Sequence, residues 1–269
     1  YICPKFLKTG YMPRLYLFIL AFAFCGLNTA YSQGFSHEIG AIVGPVAFQS
    51  DYGERGDGST FTGNTGIAIG LVHYLNFSYN SDCNCYSRPT YFNDHFKVRT
   101  ELSYIKADLQ HEGKWVDDSK TSVAAQQLRN MRGSASIINL GMQLEYFPLS
   151  IRDFSNTIGA FAPYVSLGAQ FSSYSPEATS TTGPLTVLNT PVKYRNGFTN
   201  EDGTTWSVVT SVGTRYKLGD YSDLLLDLRL QYYFSDWVDG LRPDPDVYKE
   251  NKANDWMIWF NVGYIYYLN

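Results

Sequence analysis

The side chains of this chain best suited to proton transfer at neutral pH are four histidines, His37, His73, His95 and His111. His111 stands beside Glu112, with Asp117 and Asp118 a few residues on. A histidine among carboxylates can work as an acid–base cluster. The same four residues are also what a solvated polar loop contains, and that is the simpler reading. No G-x-S-x-G stretch is present to supply a nucleophile elbow. His37 with Glu38, and His95, stand at the ends of patterned stretches, where polar residues are expected anyway.

Cys83 and Cys85 flank Asn84, with Asp82, Asp94 and His95 nearby. Thiolates and carboxylates in that spacing could hold a metal or shuttle electrons. The favoured reading is a disulfide that stiffens a long turn, with a docking turn as another. Acids recur elsewhere, at Asp51, Glu54, Asp57, Glu177, Glu201, Asp202, Asp244, Asp246 and Glu250. Calcium needs several oxygens converging on one point. D-P-D at 244–246 and G-E-R-G-D-G at 53–58 come nearest, and solvated loop acids explain both more simply. The expectation is no catalytic residue, no metal site and no cofactor.

The remaining charges sit in a pattern. In DLLLDLRLQYYFSD, residues 223–236, one parity is Leu224, Leu226, Leu228, Leu230, Tyr232 and Phe234. The other is Asp223, Leu225, Asp227, Arg229, Gln231 and Tyr233. A period of two is a β-strand with one apolar and one polar face. Eight stretches show it, at roughly 36–48, 65–78, 95–108, 135–147, 157–172, 204–217, 222–235 and 254–268. Their polar parities hold Arg99, Glu101, Glu145, Arg215, Asp227 and Arg229, and glycines recur among them. Glycine relieves crowding where strands curve around a narrow axis. Opposite charges enclosed together can neutralise one another, whereas a lone buried charge is costly. The six are therefore expected to form a packed ionic plug inside a barrel. No segment has a convincing amphipathic-helix pattern; the best candidate is 119–132, SKTSVAAQQLRNMR, a short helix or a loop excursion.

Composition bounds the class. The chain has 269 residues with 22 Tyr and 17 Phe, rich in aromatics. Beyond residue 32 no run approaches the roughly 18 apolar residues of a membrane helix. A membrane barrel stays open, because half of each of its strands is polar. From Met12 the chain reads MPRLYLFILAFAFCGLNTAYSQ: a basic Arg14, an apolar run from Leu15 to Leu27, then a small-x-small site before Gln33. That is a signal peptide with cleavage near Ser32-Gln33. Residues 1–11 fit neither part and read as upstream sequence, so 1–32 is expected to precede a barrel domain at 33–269. Phe24 before Cys25 is too bulky for a lipobox. Without 1–32, 18 basic residues face 25 acids, a net charge of −7 that argues against a nucleic-acid partner.

The connections alternate. The first, third, fifth and seventh run about 16, 26, 31 and 18 residues; those between them run about 16, 9 and 4. Short turns on one side and long loops on the other mark an outer-membrane barrel, with both termini on the periplasmic side. A soluble lipocalin-like barrel would turn its apolar parity inward around a ligand. The fold class expected is all-β, an eight-stranded antiparallel transmembrane β-barrel. Trp256, Trp259, Tyr264, Tyr266 and Tyr267 are expected in its interfacial girdles.

The last strand, NVGYIYYL at 261–268, matches polar-x-Gly-x-x-aromatic-x-apolar through Asn261, Gly263, Tyr266 and Leu268. It resembles the assembly signal of bacterial outer-membrane barrels, except that Asn269 follows. HEIGAIVGPVAFQSDYG at 37–53, GIAIGLVHYL at 66–75 and DCNCYSRPTYFNDHFKVR at 82–99 extend the likeness. Together they resemble the THC0290_0291 family of flavobacterial (Bacteroidota) outer-membrane proteins. A more distant resemblance is to accessory barrels of type IX secretion. The resemblance implies outer-membrane lipid and the barrel-assembly machinery as partners, and other envelope proteins besides. The function expected is a non-catalytic structural or accessory subunit of an envelope complex. A narrow, porin-like pore and a lipid-modifying enzyme are the alternatives.

Overall fold

A computed structural model describes residues 36–54, 57–77, 90–248 and 253–268. Among the described residues nine strands form in chain order: β1 (Ser36–Gln49), β2 (Thr65–Asn76), β3 (Phe96–Gln110), β4 (Met131–Tyr146), β5 (Phe161–Ser180), β6 (Gly183–Pro184), β7 (Gly203–Gly219), β8 (Ser222–Tyr233) and β9 (Trp256–Leu268). β6 is a two-residue extension that folds back on the end of β5. The other eight pair antiparallel with their neighbours, and β9 returns to β1 with His37 opposite Leu268 and Gln49 opposite Trp256. The ring is closed, so each of the eight long strands is paired on both sides along the barrel wall. The expected signal peptide, residues 1–11, Cys83 and Cys85 lie outside the described residues.

The wall is inside-out. In β8, Leu226, Leu228 and Leu230 face outward, and Asp223, Asp227, Arg229 and Gln231 are buried. In β5 the outward set from Phe161 to Phe171 includes Val165 and Leu167, the latter 63% exposed. That run measures about 33 Å along the strand, or about 25 Å along the membrane normal at a tilt of about 40°, the height of a barrel's apolar band. Outward polar residues then take over: Ser173, Ser175 and Glu177 on β5, Lys106 and Asp108 on β3, Ser136 and Ser134 on β4. Cross-strand aromatic pairs mark both rims. Phe96–Tyr146 and Phe161–Tyr216 stand at one end, with ring centroids 5.1 and 4.9 Å apart, and Phe171–Trp206 stands at the other, at 5.5 Å.

Two sequence expectations need correcting. Trp259 and Tyr267 are not girdle residues. They share the parity of Asn261 and Gly263 and face the lumen, while Trp256, Tyr264 and Tyr266 face out. β5 also runs eight residues past the expected end at 172. Its outward face has become polar there, which hides the strand signal. β5 continues because β4 still pairs with it as far as Met131 opposite Ser180. Pro176 is tolerated in that extension because β7 pairs with β5 only up to Tyr174, leaving an edge beyond.

Inward glycines sit where the wall crowds the axis. A Cβ on Gly213 would lie 2.6 Å from the Tyr164 hydroxyl and 2.6 Å from the Leu226 carbonyl oxygen. On Gly263 it would lie 2.7 Å from Ile42.

Candidate functional site

Among the described residues, ten charged side chains form one ionic network in the lumen. Near the turn end, Glu38 meets Lys97 at 2.6 Å and Arg215 at 2.5 Å. Arg215 reaches Glu145 at 3.2 Å and Asp223 at 3.7 Å, and Lys217 meets Asp223 at 3.5 Å. Further along the axis, Arg229 grips Glu101 with two nitrogens, at 2.5 and 2.8 Å. Arg99 touches Glu101 at 2.7 Å, Asp227 at 3.3 Å and Glu145 at 3.6 Å, joining the two halves. Five cations thus face five carboxylates, and the plug is neutral. Cation–aromatic contacts support it: Arg215 lies 4.0 Å from the centre of the Tyr74 ring, and Arg229 4.6 Å from that of Trp259.

All six charges expected from the sequence stand in this network. Glu38, Lys97, Lys217 and Asp223 complete it. Strand parity already put Lys97, Lys217 and Asp223 on the polar face, whereas Glu38 read as a strand-end polar residue. Of the C-terminal motif, Asn261 points inward and donates to Asp227 at 3.2 Å, Gly263 faces Ile42, and Tyr266 and Leu268 face outward.

Both mouths are covered. At the turn end, Phe147, Ile151 and Phe154 are buried, the last two on a short helix, Ile151–Asn156. At the loop end, the described residues of four connections, 50–64, 111–130, 181–202 and 234–255, interlock. The Asp51 amide donates to Asp239 at 2.8 Å, and the Tyr194 hydroxyl donates to the Asp51 carbonyl at 3.1 Å. Thr199 and Gly240 share a backbone bond, as do Arg242 and Gly197. Asp255 accepts from the amides of Val238 and Asp239. Asp51 is thus a buried cap anchor rather than a solvated loop acid. Burial and the neighbouring Asp51 raise the Asp239 carboxyl well above its ordinary range.

His111 belongs to this cap. It is 8% exposed, and its ring packs 5.0 Å from Tyr52 and 5.4 Å from Tyr194. Its Nδ1 accepts from the Gly53 amide at 3.1 Å, which places the proton of the neutral ring on Nε2. Burial first, then the nearby Lys193 and Arg132, lowers its pKa to about 3. Among the described contacts no hydrogen bond or ion pair joins it to Glu112, Asp117 or Asp118. Glu112 instead accepts from Gln110 at 2.8 Å, and Asp117 accepts from the Ser119 amide at 2.9 Å. Of the two readings open for 119–132, the structure has a short helix, Val123–Asn130, with Ser122 as its N-cap.

Among the described residues no cluster of three or more His, Cys, Asp or Glu could hold a metal ion. Asp244 accepts from the Asp246 amide at 2.9 Å, a turn-forming bond within D-P-D.

An apolar belt outside, ions inside and a closed ring of eight strands leave one architecture. The protein is a transmembrane β-barrel of the outer-membrane type. No protein-family model matches the chain, and no curated protein matches it. Among solved structures it is similar to a major outer membrane protein from Thermus thermophilus, at 16% identity and a TM-score of 0.43, over 88% of this chain and 100% of that one. It is also similar to Ail, the attachment invasion locus protein of Yersinia pestis, solved with the heparin analogue sucrose octasulfate. There the identity is 10% and the TM-score 0.41, over 88% of this chain and 100% of that one. Neisserial surface protein A gives 11% and 0.41, over 86% and 96%. At such identities and scores these barrels carry no function over to this chain.

Proposed function

We propose that this barrel is a non-catalytic, membrane-anchored accessory subunit of an envelope assembly, docking through its loop cap. The observation behind this reading is a neutral, fully packed lumen closed at both mouths, under loops tied into one ordered platform. A conduit would need an open axis, and every side chain of the central ion pairs is 0–1% exposed. A lipid-modifying enzyme would need His111 near an acid and near the bilayer. Instead the ring is buried among loop aromatics and hydrogen-bonded to backbone. What remains is a rigid outer surface held at a fixed height above the membrane.

Crosslinking with mass spectrometry in intact envelopes tests this. Crosslinks from Lys114 or Lys120 on the cap to one recurring envelope protein are the expected result. Recovery of an isolated monomer at native expression, with no recurring crosslink, would overturn it. Planar bilayers should show no unit conductance for the purified barrel.

A further inference from the structure

The loop cap contains a cavity of about 1090 Å³, bounded by loops 50–64, 111–130 and 181–202. That is at the top of the about 300–1,000 Å³ range of pockets that hold drug-sized ligands. His111 lines it, and its buried Nε2 has no hydrogen-bond partner among the described residues. The Gly53 bond makes that nitrogen a donor, so a residue of the pocket wall holds a buried N–H without an acceptor among the described residues. Lys114, Lys120, Lys193 and Arg195 line the same space against two acids, Glu54 and Glu112. Glu54 and Lys114 pair at 2.5 Å and offset each other, and Glu112 accepts from the neutral Gln110 amide at 2.8 Å, which leaves three basic side chains of the lining against one carboxylate. The field inside therefore favours an anion. The rest of the wall is apolar: Val116, Leu128, and Val123 and Val192, the last two each 70% exposed. Those two lie in the loop-end connections, outside the barrel strands.

We infer that this cavity binds a small carboxylate amphiphile, its carboxylate accepting from His111 Nε2–H beside Lys193 and its hydrocarbon part lying on Val123, Leu128 and Val192. This site is separate from the docking role proposed above and stands or falls independently of it. An accepted hydrogen bond would satisfy a buried donor that the folded cap leaves unmade. The neutral imidazole matters, because it donates to a carboxylate without bringing a charge of its own into the cap.

Dodecanoate is the probe, titrated calorimetrically into the full barrel held in an amphipathic polymer, with the polymer alone subtracted. Saturable one-site binding is expected, with dodecanol at least tenfold weaker. His111→Phe keeps the ring stacking but removes the donor, and should weaken dodecanoate at least tenfold, as loss of a hydrogen bond to a charged group does. Val123→Glu, on an exposed wall position that cannot upset folding of the barrel, should weaken dodecanoate more than dodecanol. Dodecanol binding as tightly as dodecanoate would overturn the inference. So would unchanged binding by the Val123→Glu and His111→Phe proteins, or no saturable binding by the wild type at millimolar probe.

Discussion

Removing Glu101 should unbalance the plug in a way that a second substitution repairs. Glu101 is held by Arg229 through two contacts and by Arg99 through a third. Glu101→Gln leaves five cations against four carboxylates, and its amide cannot match the bidentate grip. Breaking a buried pair by removing one partner costs about 3–5 kcal/mol. Arg229→Met alone leaves four cations against five carboxylates, at a similar cost. Independent sites would then give a double variant weaker by about 6–10 kcal/mol, whereas coupled ones give far less. The double variant restores four against four, and Met fills the guanidinium's place against Trp259. Its cost should be no more than that of the worse single variant, a coupling of about 3 kcal/mol or roughly two decades in the unfolding constant. Urea titration of the barrel in phospholipid vesicles, read by tryptophan emission and by heat-modifiable gel mobility, measures all four corners of the cycle. Additive costs would show that the two charges do not sense each other, and would refute the enclosed neutral plug.

Other outcomes follow from the wall and the cap. Leu228→Arg, at an outward position of the apolar band 53% exposed in the bare barrel, should cost about 2–4 kcal/mol in the same vesicle assay. Gly213→Val should clash with Tyr164 and Leu226, lowering the urea midpoint by an amount worth about 1–3 kcal/mol. His111 should weaken the cap in acid. His111 is neutral in the closed cap down to about pH 3, whereas an opened loop takes up its proton near 6.5. At His111 the open state therefore binds more protons between those values, so this residue's contribution to cap stability is complete above 6.5 and lost as pH falls, while Asp239, whose carboxyl is raised in the closed cap, contributes in the opposite sense. The loss is about 1.4 kcal/mol per unit, or near 3 kcal/mol by about pH 4.5, an upper figure for an opening that fully rehydrates the ring. Hydrogen exchange of the 50–64 and 111–130 amides at about pH 7 and about pH 4.5, compared between wild type and His111→Phe, isolates this part: the wild type should lose more protection on acidification than the variant.

How much of this could be read from residues alone depends on what each feature needs. The wall needs only parity. Leu224 to Tyr232 against Asp223 to Gln231 is a local pattern, and the membrane reading requires only that eight such patterns close on themselves. The plug is nearly as legible, because curvature brings every inward charge toward one axis. What parity cannot supply is partner choice: that Glu38 on the first strand meets Arg215 on β7, 177 residues away, depends on strand stagger. The cap was illegible for a deeper reason. Asp51, Asp239 and Asp255 carry no period, and in sequence a buried acid that accepts backbone amides looks the same as a solvated one. His111 illustrates the consequence. Its chain neighbours Glu112, Asp117 and Asp118 suggested acid–base chemistry, yet the groups that set its state are Gly53, Tyr52 and Tyr194, from two other loops. Proton position is fixed there by one backbone amide. Any role for this histidine must therefore start from a neutral donor at Nε2, which suits holding an acceptor and does not suit removing a proton.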